Sequence, residues 1–195
     1  MSESTLLDPS LPVFGALRAR YQEPQRHYHT MQHVDELLAL LSELCAHARR
    51  PDLIAWAIWF HDAVYDPTRS DNEARSAQLA HERLSELSLL PEEVAAVVQM
   101  VMATAGHQWR DGQADSALFL DLDLSILAAR PERYDEYVAQ VRAEYAFVPE
   151  VVFRGKRAEL VRVWLARPSL YVSEVGRERF ESEARNNLAR ELAGG

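Results

Sequence analysis

The sequence predicts an all-α protein, a single-domain helical bundle of 195 residues. Apolar residues recur at intervals of three and four in one segment after another, which is the period of an amphipathic helix. The 9 prolines and 7 glycines fall mostly between those segments, where they separate helices. No stretch has the strict alternation of a β-strand. Apolar residues make up 48% of the chain, enough for a substantial hydrophobic core.

Two helices are predicted in the region before residue 66. Thr30 is a candidate N-cap of the first, and Pro51 can open the second. The second contains the segment LIAWAIWF, which is apolar on all sides, so we expect it at the centre of the fold. It should end near His61-Asp62, ahead of the break at Asp66-Pro67. The first has apolar residues at helical spacing: Val34, Leu37, Leu38, Leu41 and Cys45.

Later segments predict further helices with their own start and stop signals. Ser70 and Glu73 match a capping box at the start of the third helix. Pro91 opens the fourth, with Gly106 as its stop, and the fifth lies around residues 118 to 128.

Three more helices complete the predicted bundle. Pro131 and Pro149 introduce the first two of them. We expect a core about residues 26–128 that carries the chemistry, followed by C-terminal helices about residues 131–192. The last helix has apolar residues at helical spacing: Phe180, Ala184, Leu188 and Leu192.

Charge and cysteine content restrict the class of partner and the compartment. The net charge of −9 and the pI of about 5.3 predict that most of the surface repels duplex nucleic acid and anionic membranes. Small phosphorylated substrates and a homodimer remain open. Cys45 is the single cysteine, which excludes an internal disulfide and suits a reducing compartment. With neither a secretory signal nor an apolar stretch long enough for a bilayer, we expect a cytoplasmic protein.

Histidines are concentrated where the first predicted helix begins. Arg26, His27, Tyr28 and His29 are consecutive, and His33 follows His29 at a spacing of four. Such a cluster can supply metal ligands, but it is also compatible with a polar helix start that carries partly exposed imidazoles.

His61-Asp62 stands at the end of the apolar second helix. Burying an imidazole and a carboxylate beside Trp59 and Phe60 is costly unless both are satisfied. A bound cation or a hydrogen-bonded His–Asp core pair would satisfy them, and this segment alone favours the core pair.

Two carboxylates interrupt the apolar segment LFLDLDLSIL. Asp121 and Asp123 point about 200° apart on a helix, so one site can use only one of them. Asp123 shares the more apolar side with Leu120 and Leu127, which makes it the better candidate for a buried ligand. Asp121 is expected to pair with an arginine or to face solvent.

The pattern as a whole resembles the HD superfamily of metal-dependent phosphohydrolases. The resemblance rests on the order His33, His61-Asp62, Asp123 and on the segments RHYHTMQHV, WFHDAVYDP, DNEARSA, ATAGH and FLDLDLSIL. These segments, with RAEYAFV and ESEARNNLAREL, are similar to a bacterial subfamily known only as predicted HD phosphohydrolases. The likeness covers residues 11 to 192. It implies an HD-type helical fold and a phosphohydrolase acting on a nucleotide or other small phosphoester.

The resemblance also implies a metal site, with His33, His61, Asp62 and Asp123 as ligands. Two imidazoles and two carboxylates suit Mn, Fe, Co, Zn or Mg, and the absence of thiolate argues against a structural zinc site. Some HD proteins bind a second ion through two further histidines, for which His107 and His81 are the candidates. One ion is the preferred interpretation.

Other residues are assigned roles around that ion. Asp66, four residues after Asp62, resembles the acidic residue that follows the HD pair in alarmone hydrolases, which implies an orienting or general-base role. It could instead cap a turn through Pro67 and Thr68. His29 could donate a proton to a leaving-group oxygen. The cations available for a phosphate are Arg26, Arg142, Arg154, Lys156 and Arg157, of which the last two are expected to be ordinary surface residues.

Two other functions remain open. A di-iron oxygenase of the HD type would need both His81 and His107 as ligands. A nucleotide-sensing or partner-binding module would keep the fold around a vestigial site.

Overall fold

Nine α-helices account for most of residues 7–107, 109 and 112–194, the part of the chain that the computed structural model describes. No strand occurs among these residues, so the all-α prediction is confirmed. Short 3₁₀ helices follow α2 and α6, at Cys45–His47 and Leu124–Ala128. The α-helices are α1 Pro12–Tyr21, α2 Met31–Leu44, α3 Pro51–Phe60, α4 Asn72–Ser85, α5 Pro91–Ala103, α6 Ala114–Asp123, α7 Pro131–Glu144, α8 Glu150–Leu165 and α9 Glu174–Gly194.

The chain divides within α6, between Leu120 and Asp121, into two compact units. The first unit contains α1 to α5 and most of α6, and the second contains the end of α6 and α7 to α9. The sequence predicted one domain, with its core separated from the C-terminal helices near residue 130. None of the described helices combines the length and apolarity needed to cross a bilayer.

The first unit is built around α3. Every residue of α3 from Leu53 to Phe60 is buried, and the helix packs against α2, α4 and α5. The central position predicted from its uniformly apolar sequence is confirmed, as is its end beside His61-Asp62.

The capping box predicted for the third helix is wrong. Helix α4 begins at Asn72, so Ser70 lies outside its N-cap position. The side chain of Asn72, the first residue of α4, accepts a hydrogen bond from the Asp66 N–H at 3.1 Å and donates one to the Asp66 carbonyl at 2.9 Å. A side-chain cap occurs instead on α5, where the carboxylate of Glu93 accepts a hydrogen bond from the Leu90 N–H at 2.9 Å, which is one half of a capping box.

Within the second unit Asp121, a carboxylate that is only 1% exposed, connects the end of α6 to the segment that precedes α9. Its oxygens accept hydrogen bonds from the N–H groups of Val172 and Ser173, both at 2.7 Å, and from the Ser173 hydroxyl at 2.6 Å. Burial raises the pKa of Asp121, and these donors, with Arg177 as the weakest contributor, offset part of that rise. The expectation that Asp121 faces solvent or pairs chiefly with an arginine is therefore wrong.

The 3₁₀ helix after α6 is fixed by polar side chains from elsewhere in the second unit. The Tyr171 hydroxyl donates to the Leu124 carbonyl at 3.0 Å. The Asn187 amide, on α9, donates to the carbonyls of Leu127 and Ala129 at 2.9 and 2.8 Å. These bonds satisfy carbonyls that the short helix leaves without internal partners.

Candidate metal centre

Three side chains that commonly bind metals come together where α2 begins and α3 ends. His33 lies in the first turn of α2, and His61 and Asp62 directly follow the last residue of α3. Both histidines are buried and Asp62 is half-buried. Within the described part of the chain, one potential ligand atom from each residue lies within 4.8 Å of the other two.

The three ligand atoms form a triangle with one long side. Nε2 of His61 lies 3.1 Å from Nε2 of His33 and 2.9 Å from Oδ2 of Asp62. The third side, from Nε2 of His33 to Oδ2 of Asp62, is 4.0 Å. In an octahedral site with bonds of about 2.1 Å, adjacent donors are about 3.0 Å apart and opposite donors about 4.2 Å. The donor set therefore fits one divalent cation, with His61 adjacent to both other ligands.

Hydrogen bonds outside the cluster orient the two imidazoles. Nδ1 of His61 lies 2.8 Å from the carbonyl oxygen of Ile58, and because a carbonyl can only accept, Nδ1 carries the proton. In the neutral ring, Nε2 then has a lone pair directed at the cluster. Nδ1 of His33 contacts the Tyr28 hydroxyl at 3.1 Å, and the other ring nitrogen of His33, Nε2, faces His61 and Asp62. Such outer partners are typical of metal-binding histidines.

The contact with Ile58 limits the protonation states in which His61 and Asp62 can lie 2.9 Å apart. A neutral His61 that donates through Nδ1 has no second N–H, so it cannot donate a hydrogen bond to an ionised Asp62 carboxylate across their 2.9 Å contact. Lone pairs of imidazole and carboxylate at such distances repel each other. The contact therefore needs either a further proton, carried by an imidazole or by the Asp62 carboxyl group, or a bound cation.

Asp123, the fourth predicted ligand, is the last residue of α6 and belongs to the second unit. It is half-buried, whereas Asp121 is fully buried, which reverses the order of burial expected from the sequence. The role of Asp123 as a ligand stays a prediction.

His29 lies at the edge of the cluster. Its Nε2 is 3.9 Å from Oδ2 of Asp62, and its ring stacks on Tyr65 with the ring centroids 4.1 Å apart. The side chain of His29 is 22% exposed, against 3% for that of His33, so solvent reaches His29 more readily. This position is compatible with the predicted role of proton donor to a leaving group.

Arg26 is buried beside the cluster and forms hydrogen bonds with the backbone around it. Its guanidinium donates to the carbonyls of Asp62, Ala63 and His29, at 2.7, 3.2 and 3.1 Å, and to the Glu23 carboxylate at 3.1 Å. These bonds use four of the five N–H donors of arginine, and the side chain is 0% exposed. The expected contact between Arg26 and a substrate phosphate is therefore replaced by a positioning role. Arg26 fixes the backbone that carries Asp62.

We expect Arg26→Met to lower the free energy of unfolding by about 2–3 kcal/mol, because it leaves three backbone carbonyls without their donor. Arg83→Met is the matched control, since Arg83 forms an exposed ion pair with Glu86 and should change stability by less than about 0.5 kcal/mol. Urea denaturation followed by circular dichroism measures both. Equal stability of the two variants would contradict the positioning role.

Asp66 caps a turn, as the alternative interpretation of the sequence proposed. Its Oδ1 accepts hydrogen bonds from the Thr68 N–H at 2.9 Å and the Thr68 hydroxyl at 2.7 Å, which lower the pKa of Asp66. Since α3 ends at Phe60, a spacing of four does not place Asp66 on the same helical face as Asp62. The geometry favours the turn cap over the general-base role.

For Asp66→Ala we therefore expect the melting temperature to fall by a few degrees, because the turn loses its cap. Metal content and turnover per folded molecule should stay at the wild-type level. Elemental analysis, thermal denaturation and activity on the same preparation measure the three quantities. A large loss of turnover at unchanged metal content would restore the general-base assignment.

The group of potential metal ligands found among the described residues does not include His81 or His107, the two histidines considered for a second ion. His81 is exposed in the middle of α4. His107 is half-buried in the turn after α5 and has a positive φ of 49°. An exposed His81 gives no support to a second ion, nor to the di-iron oxygenase that would need it.

The remaining candidates for phosphate binding all lie in the second unit, and each is already paired. Lys156 is 78% exposed, as expected of a surface cation. Arg157 is only 10% exposed, so the same expectation is wrong for it. The ion pairs are Arg142 and Arg154 with Glu150, Lys156 with Glu159, and Arg157 with Glu191.

Sequence reasoning missed Tyr28 and the Ile58 carbonyl, which orient the two histidines. Tyr28 lies five residues before His33, a spacing that does not by itself indicate contact, and a backbone carbonyl leaves no mark in the sequence. Comparison of the chain with protein families, with curated proteins and with solved structures found no match.

Proposed function

We propose that this protein is a metal-dependent phosphohydrolase that acts on a nucleotide or another small phosphoester. The observation that carries the proposal is the contact of Nε2 of His61 with both Nε2 of His33 and Oδ2 of Asp62. Its Nδ1 proton is directed at the Ile58 carbonyl, so its Nε2 lone pair points toward the other two donor atoms, and two imidazole nitrogens with a carboxylate oxygen suit a divalent cation.

The residues in and around the cluster would have separate roles in metal binding, proton donation and positioning. His33, His61 and Asp62 would hold the ion, with Asp123 as the fourth ligand that the HD resemblance implies. A divalent ion in such a site supplies Lewis acidity, which activates water and polarises a phosphoryl oxygen. His29, at the exposed edge of the cluster, would donate a proton to the leaving group. Tyr28 and Arg26 would position the ligands without touching the substrate.

The substrate class rests on the resemblance to HD phosphohydrolases, and it is tested separately from the metal. Protein purified without chelator is analysed for Mn, Fe, Co, Zn and Mg, and the metal-free protein is titrated with Mn²⁺ by calorimetry. We expect one ion per chain. Hydrolysis of nucleoside monophosphates and of a generic phosphomonoester is then measured with Mn²⁺, Co²⁺ and Mg²⁺.

The outcomes separate the functions that the sequence leaves open. Metal binding with metal-dependent hydrolysis supports the proposal. Metal and nucleotide binding without turnover would indicate a sensing module. The absence of metal binding would leave a further proton within the cluster as the explanation of the contacts and would contradict the proposed enzyme.

A further inference from the structure

Helix α8 carries an apolar surface on the side opposite its buried residues. Val161 is fully buried, whereas Val152 and Val163 are 52% and 53% exposed and Leu160 is 41% exposed. At 100° per residue, Val152 and Val163 project about 20° apart and roughly opposite to Val161. Exposed aliphatic side chains grouped on one helix face indicate a surface that another helix can cover.

The exposed face has the spacing of a coiled-coil seam. Val152, Lys156, Glu159 and Val163 follow one another at intervals of four, three and four, as the core positions of heptads do. All four are exposed. We call these four residues the α8 seam.

The α8 seam is self-complementary when it is read in opposite directions along two helices. Valine stands at both ends, and the two inner positions have opposite charges. When two antiparallel copies of α8 meet about a twofold axis between residues 157 and 158, Val152 faces Val163 of the second copy, and Lys156 faces Glu159 of the second copy. A twofold interface requires such self-complementarity, in which residue i meets j and j meets i.

We propose that the protein forms a homodimer through antiparallel pairing of the α8 seams of two chains. Charge selects this orientation, because a parallel pair in register would place Lys156 against Lys156 and Glu159 against Glu159. Within one chain Lys156 and Glu159 are 3.0 Å apart, with side chains 78% and 65% exposed. In the dimer each Lys156 would therefore lie between two carboxylates, that of Glu159 in its own chain and that of Glu159 in the second copy.

The length of the seam sets the expected strength. Helix α8 has 16 residues, or about 24 Å of helix, and one helix face of that length is smaller than a standard interface of about 800 Å² per partner. We therefore expect a concentration-dependent dimer with a dissociation constant on the order of micromolar. Leu160 flanks the seam and adds exposed apolar area beside it.

Disulfide trapping tests both the interface and its direction. The background is full-length Cys45→Ser, because Cys45 is free and exposed. With Val152→Cys and Val163→Cys combined, we expect mild oxidation to give a covalent dimer. Either cysteine alone should not be trapped, because identical positions are separated by about 16 Å along an antiparallel pair. Trapping by each single variant would indicate a parallel pair, and no trapping in the combined variant would overturn the interface.

Charge reversal tests the register without introducing cysteines. Sedimentation velocity between about 1 and 100 µM should show a dimer for the wild type. Lys156→Glu places two pairs of like charges in the seam, so the dissociation constant should rise at least about 10-fold. Lys156→Glu combined with Glu159→Lys restores opposite charges and should restore the dimer.

Circular dichroism confirms that each charge variant is folded. A wild type that is monomeric at about 100 µM would overturn the proposal. An unaltered dimer in Lys156→Glu, or no recovery in the double variant, would overturn the register. Binding of a different protein to α8 of a monomeric chain would likewise count against the homodimer.

Discussion

Asp62→Ala should abolish binding of a divalent cation and, with it, the proposed hydrolysis. Oδ2 of Asp62 is the one carboxylate oxygen in the three-residue cluster, 2.9 Å from Nε2 of His61. Removing it takes away a ligand and a negative charge that offsets the charge of the ion. Changes in outer partners alone typically cost 10- to 100-fold in metal affinity, so we expect loss of a direct ligand to cost at least about 100-fold.

Asp66→Ala is the matched control for this experiment. This substitution also removes an aspartate carboxylate, but at a position four residues later, where the side chain caps a turn through Thr68. Calorimetric titration with Mn²⁺ should give wild-type affinity for Asp66→Ala and no measurable binding for Asp62→Ala, with both proteins folded by circular dichroism.

An Asp62→Ala protein that binds Mn²⁺ as tightly as the wild type would show that the ion, if bound, lies elsewhere. The wild-type cluster would then be a hydrogen-bonded core group in which an imidazole or the Asp62 carboxyl group carries a further proton. Metal binding that survives while hydrolysis is lost would instead place Asp62 among the residues that act on the substrate.

The helices could be predicted from the sequence because their signals are local. Apolar residues on every side of residues 53–60 indicated a buried central helix, and the structure confirms α3 in that place. Prolines at positions 51, 91 and 131 each stand at the first residue of a helix, as their fixed φ and missing N–H favour. Helix α1 went unpredicted, since residues 12–21 have only a weak apolar periodicity.

The contacts that determine what each polar side chain does could not be predicted in the same way. The closeness of Arg26 to His33 in sequence favours a contact between Arg26 and the substrate. The partners of Arg26 are the carbonyls of residues 62 and 63, which follow another helix. Backbone carbonyls are present at every position, so no residue type marks the ones that a buried arginine will find.

The two carboxylates of α6 show the same limit. Helical geometry indicates that Asp121 and Asp123 point in different directions. The apolar residues nearby in sequence do not indicate which tertiary partners each carboxylate contacts. The donors to Asp121 lie at residues 172 and 173, about fifty positions later in the chain. A buried carboxylate becomes tolerable once several N–H and O–H groups point at it, and only the tertiary structure reveals them.

Gly176→Ala should cause the largest loss of stability among these substitutions, about 3–4 kcal/mol. Gly176 is buried in the first turn of α9, and its N–H donates to the Ser173 hydroxyl at 3.0 Å. A Cβ at this position would lie 2.2 Å from Oδ2 of Asp121 and 2.7 Å from its Cγ. Asp121 cannot retreat without releasing the N–H groups of Val172 and Ser173, which are costly to leave unpaired away from water.

Gly15→Ala is the control for this substitution, because Gly15 lies in the middle of α1 with open space where its Cβ would be. Alanine there should raise stability by up to about 1 kcal/mol through helix propensity. Asp121→Ala combined with Gly176→Ala tests the cause. Once the carboxylate is gone, the added methyl group has nothing to strike, so the double variant should be no less stable than Asp121→Ala alone. Urea denaturation of the four variants decides the matter. Additive losses in the double variant would show that Gly176 is needed for a reason other than its contact with Asp121.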